Sequence, residues 1–491
     1  VLLYVLMWLA ILLTRLLSAR AEDEPIPSLD DAWFEGLRAL EQTGMDLRKF
    51  PLFLILGRCE GTERVLFEEL DQELVLKQAP RRLDEAIYLH ATKEAIFITT
   101  PDACALSKVA ERIRDENELR ERSGSSGRRF DARDLFAAIE RDAFSPDDLT
   151  RQQLTSGQSL SGSLSAPALG TTATNSTSAM RLSGTGVLDP GAVEINTQAV
   201  SERVREETRR AIRAREGLDD EETEERRLIQ QRLARLCRLI RREREPYCPI
   251  NGLMVLGPLA ASDSDVRARQ VSAAIQQDLS VLRETLQINC PAYVVICDFE
   301  RIPGGTEFLS RLNDNQRRRQ LGRSFPLMPD LDSAGRLRMI ESGLRWFGTE
   351  LIPAIVSRMW RVERGDELGQ LREEAVAENT CLFELVWEMS RRHTRLSRLV
   401  ARGLSQGDDD PWILAGCHFA ATGRDLENRG FIASLFDRII ATQNAVAWTS
   451  EAKRQDARAS RLAVLGYLVT AGVVLFFILL FFGFTNSPIA W

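Results

Sequence analysis

Residues 57–64, Gly-Arg-Cys-Glu-Gly-Thr-Glu-Arg, stand where a phosphate loop would stand: they follow the apolar run Pro51-Leu-Phe-Leu-Ile-Leu56 and precede a helical pattern. A working loop reads G-x-x-x-x-G-K-[ST]. Its glycines let backbone N–H groups wrap the phosphates, its Lys offsets the β/γ charge, and its hydroxyl holds magnesium. In register from Gly57 the second glycine is Thr62, the lysine is Glu63 and the hydroxyl residue is Arg64. Using Gly61 instead still supplies no lysine. Glu60 and Glu63 add carboxylates where phosphate charge would gather, and Arg58 and Arg64 are the only substitute cations. The second strand of such a site ends in an Asp that reaches the magnesium shell. Here Ile98-Thr99-Thr100-Pro101-Asp102 brings the acid three positions late. The expectation is a degenerate nucleotide loop with no cofactor, no metal and no catalytic residue; GTP or ATP with magnesium is the alternative.

The elements around this loop are apolar runs separated by helical patterns. The runs are 51–56, 94–99, 253–256, 293–296 and 412–419. Such runs predict a parallel sheet with helices on both faces, an α/β domain. Trp33, Leu37, Leu40 and Leu47 mark a membrane-proximal helix and linker over 19–50. The α/β domain is predicted in two parts, 51–145 and 201–330, split by a Ser/Thr/Gly-rich insertion at 146–200. That tract carries too little apolar area to offset its ordering entropy and is expected to be disordered. Residues 201–245 hold 14 Arg and 12 Asp or Glu. Mixed signs argue against a nucleic-acid surface, and Ile229, Leu233, Leu236 and Ile240 predict a docked helix. A helical extension follows at 331–402, with the basic stretch 391–398 expected to be a solvated helix end. A return strand and helix complete the body at 403–450.

The ends are membranous in character. Residues 463–484 carry no charge, and at 1.5 Å rise they span about 33 Å, matching a hydrocarbon core of roughly 30 Å. A transmembrane helix is predicted at 462–484. A second is predicted at 1–18, short at its start. Arg15 and Arg20 follow the first segment, and Lys453, Arg454, Arg458 and Arg461 precede the second. Both basic clusters border the intervening region, which is therefore expected on the cytoplasmic side of a multi-pass protein. Across 491 residues the composition is 44% hydrophobic and 27% charged, with a net charge of −7, which excludes a wholly disordered chain or a polytopic transporter. The mean hydropathy of −0.19 averages apolar ends against a charged body. Eight cysteines include no C-x-x-C pair, and histidine occurs only at 90, 393 and 418, so neither a zinc site nor a disulfide framework is expected.

Several segments resemble the IcmF/TssM family, inner-membrane proteins of type VI secretion and the related type IVB systems. Residues 50–57 and 94–100 resemble its P-loop and second-strand regions. The likeness continues in Arg235-Leu-Cys-Arg-Leu-Ile-Arg241 leading to 249–255, and in 291–296. It extends through Ile302-Pro-Gly304 with Phe308, Gln316–Gly322 with Phe325-Pro326, and 414–423, which resembles an Arg-Gly-x-x-Phe-Thr-Ser-Gly segment. The resemblance implies a P-loop GTPase-like domain and an all-α extension between flanking transmembrane helices of the bacterial inner membrane. Partners would be TssL-like and TssK-like components, further copies of the chain and the lipid bilayer, with no nucleic acid. The family's base-selecting Thr-Lys-x-Asp falls at Cys297-Asp298-Phe299-Glu300, where only the acid at Glu300 remains. The motif positions implied are thus Gly57, Gly61, Thr62, Glu63 and Arg64, with Thr99, Asp102, Asp298 and Glu300. A large periplasmic region normally follows the last span, so a divergent member lacking it is expected. The leading reading is a membrane scaffold with a pseudo-GTPase domain. An NTPase energising assembly and an unrelated bitopic signalling protein are the competitors.

Overall fold

Strands that are buried on both faces favour apolar side chains along their length, and five segments follow that pattern, with Thr99, Thr100 and His418 as their buried polar exceptions. The segments are β1 (Leu52–Leu56), β4 (Ile96–Thr100), β5 (Gly252–Pro258), β7 (Pro291–Cys297) and β9 (Ile413–Phe419), and every residue in them is buried. The computed structural model describes residues 25–59, 64–70, 73–122, 224–328, 331–360, 373–404 and 412–485, together with Trp8. The chain divides into one unit of residues 1–118 and 220–491 and another of 119–219. Apart from Trp8 the first predicted span, and with it the 146–200 insertion and the positions Gly61, Thr62 and Glu63, lie outside the described residues.

The five strands run parallel as β4-β1-β5-β7-β9. Three further strands make the sheet eight-stranded and mixed: β2 (Leu74–Ala79) and β3 (Tyr88–Thr92) beyond β4, and β8 (Leu321–Ser324) beyond β9, all antiparallel to their neighbours. Alternation along the strands separates two core layers. Leu52, Leu54 and Leu56 face one layer, into which α1 (Pro27–Gln42), helix 224–244 and the long helix Asp265–Leu286 pack. Phe53 and Ile55 face the other, which is covered by the short α2 (Arg64–Glu68) and by helix Ala433–Ala441. Ile229, Leu233, Leu236 and Ile240 are buried as their spacing predicts.

The helical block consists of Ser333–Trp346, a π-turn at Phe347–Leu351, Ile352–Met359 and Glu373–Leu404. Its Leu344, Phe347, Leu385, Met389 and Leu399 belong to the same core as the sheet. The basic stretch 391–398 is not simply solvated. Arg392 is 11% exposed and pairs with Glu388 and Asp263, while Arg395 donates to the Ser262 and Asp263 carbonyls.

The short strand β6 (Ile288–Asn289) pairs antiparallel with Ala447–Trp448, and the Thr449 amide donates to the Gln287 carbonyl at 3.1 Å. This two-stranded pairing, separate from the eight-stranded sheet, ties the start of helix Ser450–Thr485 to the segment that leads into β7. At 36 residues that helix is about 54 Å long. An 18-residue window within Ser450–Leu479 has a mean hydropathy of 2.6, and none of that window is buried against the domain. Among the described residues it is the one helix long and apolar enough to cross a membrane.

Candidate functional site

In parallel α/β sheets, ligands collect at the carboxyl ends of the strands, and Gly57, Thr99, Asp102, Asp298 and Glu300 lie at or just beyond such ends. Gly57 closes β1 with φ +95°, and a Cβ would lie 2.4 Å from the Leu256 carbonyl oxygen, so only glycine fits. Its N–H, the first that would wrap a phosphate, donates to Cys104 Sγ at 3.2 Å. Burial pushes the Cys104 thiol up to about 12, aided by the nearby Asp278, so the group stays a neutral thiol. Ser107 Oγ completes this buried cluster, 3.0 Å from Cys104 Sγ and donating to the Thr100 carbonyl at 2.8 Å. Among the described residues the helix after the loop covers Arg64–Glu68, and Arg64 pairs at 2.8 Å with Glu68. Arg58 pairs at 3.1 Å with Glu111.

The end of β4 is equally occupied. Thr99 Oγ1 donates to the Tyr88 carbonyl at 3.5 Å, and Thr100 Oγ1 to the Ile55 carbonyl at 2.9 Å. The β1–β4 register runs unbroken from Leu52↔Ile96 to Leu56↔Thr100, so no bulge brings Asp102 forward. Asp102 instead forms ion pairs with Lys108 and with Arg232 of helix 224–244. The helix that follows, α3 (Ala105–Arg122), has its first turn held by a distant residue. Asp278 accepts the Ala105 and Leu106 N–H groups at 2.8 Å each. Burial raises its carboxyl to about 7 despite those two bonds.

At the end of β7, Asp298 adopts φ 67° and is tied on three sides. Its N–H donates to Thr422 Oγ1 at 3.1 Å, that hydroxyl donates to Asp298 Oδ1 at 2.9 Å, and Arg114 Nε donates to Oδ2 at 3.3 Å. Burial pulls the Arg114 pKa down, but Asp298, Cys59 and Cys297 together more than offset it, so the net shift is upward and the guanidinium stays cationic. Arg114 also donates to the Arg58 carbonyl, so it links the β1 loop to the β7 end. Glu300 accepts the Thr422 N–H at 3.0 Å.

A cavity of about 360 Å³ lies beside the β1 loop, lined among others by Arg58, Arg64, His90, Lys108 and Glu111. Burial pulls His90 down to about 3, so the ring is neutral, and it stacks on Phe67 with centroids 3.8 Å apart. Among the described residues no three His, Cys, Asp or Glu side chains gather as a metal site.

Residues 229–424 match the IcmF-related N-terminal domain family. Over that stretch the chain is related to the IcmF/TssM family. The Pseudomonas aeruginosa protein named type VI secretion system component TssM1 is 25% identical over 163 residues, which cover 32% of this chain and 15% of that relative. No solved structure matches. That relation weighs against the reading as an unrelated signalling protein. In this IcmF-related chain the matched stretch contains Arg232, Asp278, Asp298, Glu300 and Thr422, whereas Gly57 and Asp102 precede it. Sequence reasoning found Gly57, Asp102, Asp298 and Glu300 but missed Cys104, Arg114, Asp278 and Thr422. The missed residues act across separations of up to 184 positions, where no local pattern signals them.

Proposed function

We propose that this chain is an inner-membrane scaffold of a type VI-like protein secretion complex, whose α/β domain is a P-loop GTPase-like fold given over to internal contacts and to docking of partner proteins. The family match supports the secretion role, and the parallel order β4-β1-β5-β7-β9 supports the fold assignment. The observation that carries the pseudo-enzyme reading is the engagement of Asp102 by Lys108 and Arg232, which spends the acid nearest the magnesium position. The basic residues at 453–461 favour a cytoplasmic body, with TssL-like and TssK-like proteins and further copies of the chain as partners. Neither a nucleotide nor a metal cofactor is part of this reading. The test is titration of the full chain in lipid nanodiscs with fluorescent GTP and ATP plus magnesium. No saturable signal is expected at millimolar nucleotide. Tight, magnesium-dependent binding that unlabelled nucleotide displaces would overturn the reading.

The second reading is an NTPase that energises assembly with Arg58 or Arg64 as the phosphate cation. The 360 Å³ cavity lined by Arg58, Arg64 and Lys108 favours it. Turnover abolished by Arg64→Ala supports it; absence of turnover with every divalent metal ends it.

A further inference from the structure

The eight-stranded sheet ends at β2, whose outer edge has no strand partner among the described residues. Beside that edge runs an open groove of about 840 Å³. One wall is formed by the consecutive residues 75–79 of β2. Side chains alternate across a strand, so five successive residues on one wall mean that the groove follows the backbone edge rather than a sheet face. The opposite wall is α1, through Glu35, Arg38, Ala39 and Gln42, the i, i+3, i+4, i+7 stripe of one helix face. Val75 and Leu76 form a half-buried apolar floor. The rim is cationic, with Arg38, Arg64, Lys77 and Arg81 set against Glu35. Arg64 is engaged by Glu68, whereas Arg38, Lys77 and Arg81 take no ion pair among the described residues.

The β2–β3 ladder shifts register twice between Leu74 and Ala79, and the Lys77 carbonyl is held by His90 Nδ1. Bulges and a lysine blunt a bare edge against aggregation. They do not account for an apolar floor, a second wall and an unbalanced positive rim.

We propose that the groove between α1 and β2 takes an extended acidic segment of a partner protein, added to the sheet as a further strand. The six residues of β2, at about 3.3 Å each, give an edge of roughly 20 Å, enough for about six residues of the partner. Main-chain hydrogen bonds to the edge supply affinity, and alternate side chains meet the apolar floor and the arginine rim. The proposal deepens the scaffold reading and rests on it for the existence of a protein partner.

The test pans the full chain in nanodiscs against phage-displayed random dodecapeptides, with the groove-filling variant Ala39→Trp as counter-selection. Enrichment of acidic sequences with alternating apolar positions is expected. Their synthetic versions should lose about tenfold in affinity against Arg38→Glu/Arg81→Glu, two exposed positions where folding is not at stake. That loss should shrink in about 0.5 M salt. Methylating every second peptide amide should abolish binding, while methylating the intervening amides leaves it intact, as strand addition requires. Absence of acidic enrichment, equal loss from both methylation sets, or indifference to Ala39→Trp overturns the proposal. If no such peptide emerges while secretion partners still co-purify, the groove fails and the scaffold stands. Groove-binding peptides without any co-purifying secretion partner would sink the scaffold reading instead.

Discussion

Replacing Asp278 tests whether the protein itself fixes the helix that follows β4, the element that a working nucleotide switch would need to move. The two carboxylate oxygens accept the Ala105 and Leu106 amides at 2.8 Å each, and the group is fully buried. Asp278→Ala orphans two of the four amides that a helix start leaves without intrahelical partners. At about 1–3 kcal/mol for each buried donor, with some relief from entering water, the loss is about 2–4 kcal/mol. Asp278→Asn keeps one acceptor and loses about 1–2 kcal/mol at pH 5.5. The pH dependence has a definite sign. Burial raises the folded-state pKa to about 7, above the ordinary carboxylate range, so the folded protein holds a proton that the unfolded chain releases. The stabilisation is complete below pH about 4 and is lost as pH rises through about 7, up to about 4 kcal/mol at 1.36 kcal/mol per unit. Asparagine does not titrate, so the cost of Asp278→Asn shrinks or inverts by pH 8. Hydrogen exchange of residues 103–112 in the full chain, corrected for intrinsic rates, reads the effect as a tenfold acceleration for each 1.4 kcal/mol. Unchanged exchange in Asp278→Ala, or a wild-type pH slope persisting in Asp278→Asn, refutes the reasoning.

Gly57→Ala places a Cβ against the Leu256 carbonyl at a left-handed φ and should cost about 2–4 kcal/mol, read from denaturant unfolding. Arg114→Met leaves Asp298 buried without its cation and should cost about 3 kcal/mol, and adding Asp298→Asn should recover a large part of it in the same assay. Val473→Arg/Leu475→Arg puts two charges near the middle of the apolar helix at about 2.5–3.5 kcal/mol each. In a chain begun at residue 25, carbonate extraction should then release the variant from membranes that retain the unsubstituted helix.

The parallel strands were legible because burial on both faces leaves a continuous apolar run, as in Leu52–Leu56 and Pro291–Cys297. The antiparallel strands were not. β2 is half-exposed and carries Lys77, β3 hides His90 as a neutral ring against Phe67, and β8 is four residues long with an exposed Arg323. The stripe Leu344-Phe347-Leu351-Ile355-Met359 reads as one helix, yet Pro353 removes an amide from the ladder and the chain takes a π-turn just before it. At the site, residue types alone exposed the missing lysine at Glu63 and the late acid at Asp102. The destinations of the released groups stayed hidden, because Cys104, Arg114 and Asp278 meet their partners only once the sheet has assembled. The same holds for Arg392, whose partner Asp263 lies 129 positions away.

Those destinations bear on whether a nucleotide could still be held. A ligand in the usual place would have to draw Asp298 from Arg114, at about 3 kcal/mol for a buried pair. It would also have to release Asp102 from its two cations, at about 1 kcal/mol for partly exposed pairs. Moving the start of α3 off Asp278 adds about 2 kcal/mol. Together these are about 6 kcal/mol. A site with intrinsic micromolar affinity has about 8 kcal/mol to spend, and the remainder falls short of even millimolar binding. Reversion would therefore need several changes at once: a lysine at Glu63 alone restores the charge but leaves the internal partners in place, and Glu63→Lys should not recover magnesium-dependent binding. On the pseudo-enzyme reading proposed above, the internal ties, more than the lysine absent at Glu63, are what would keep a nucleotide out.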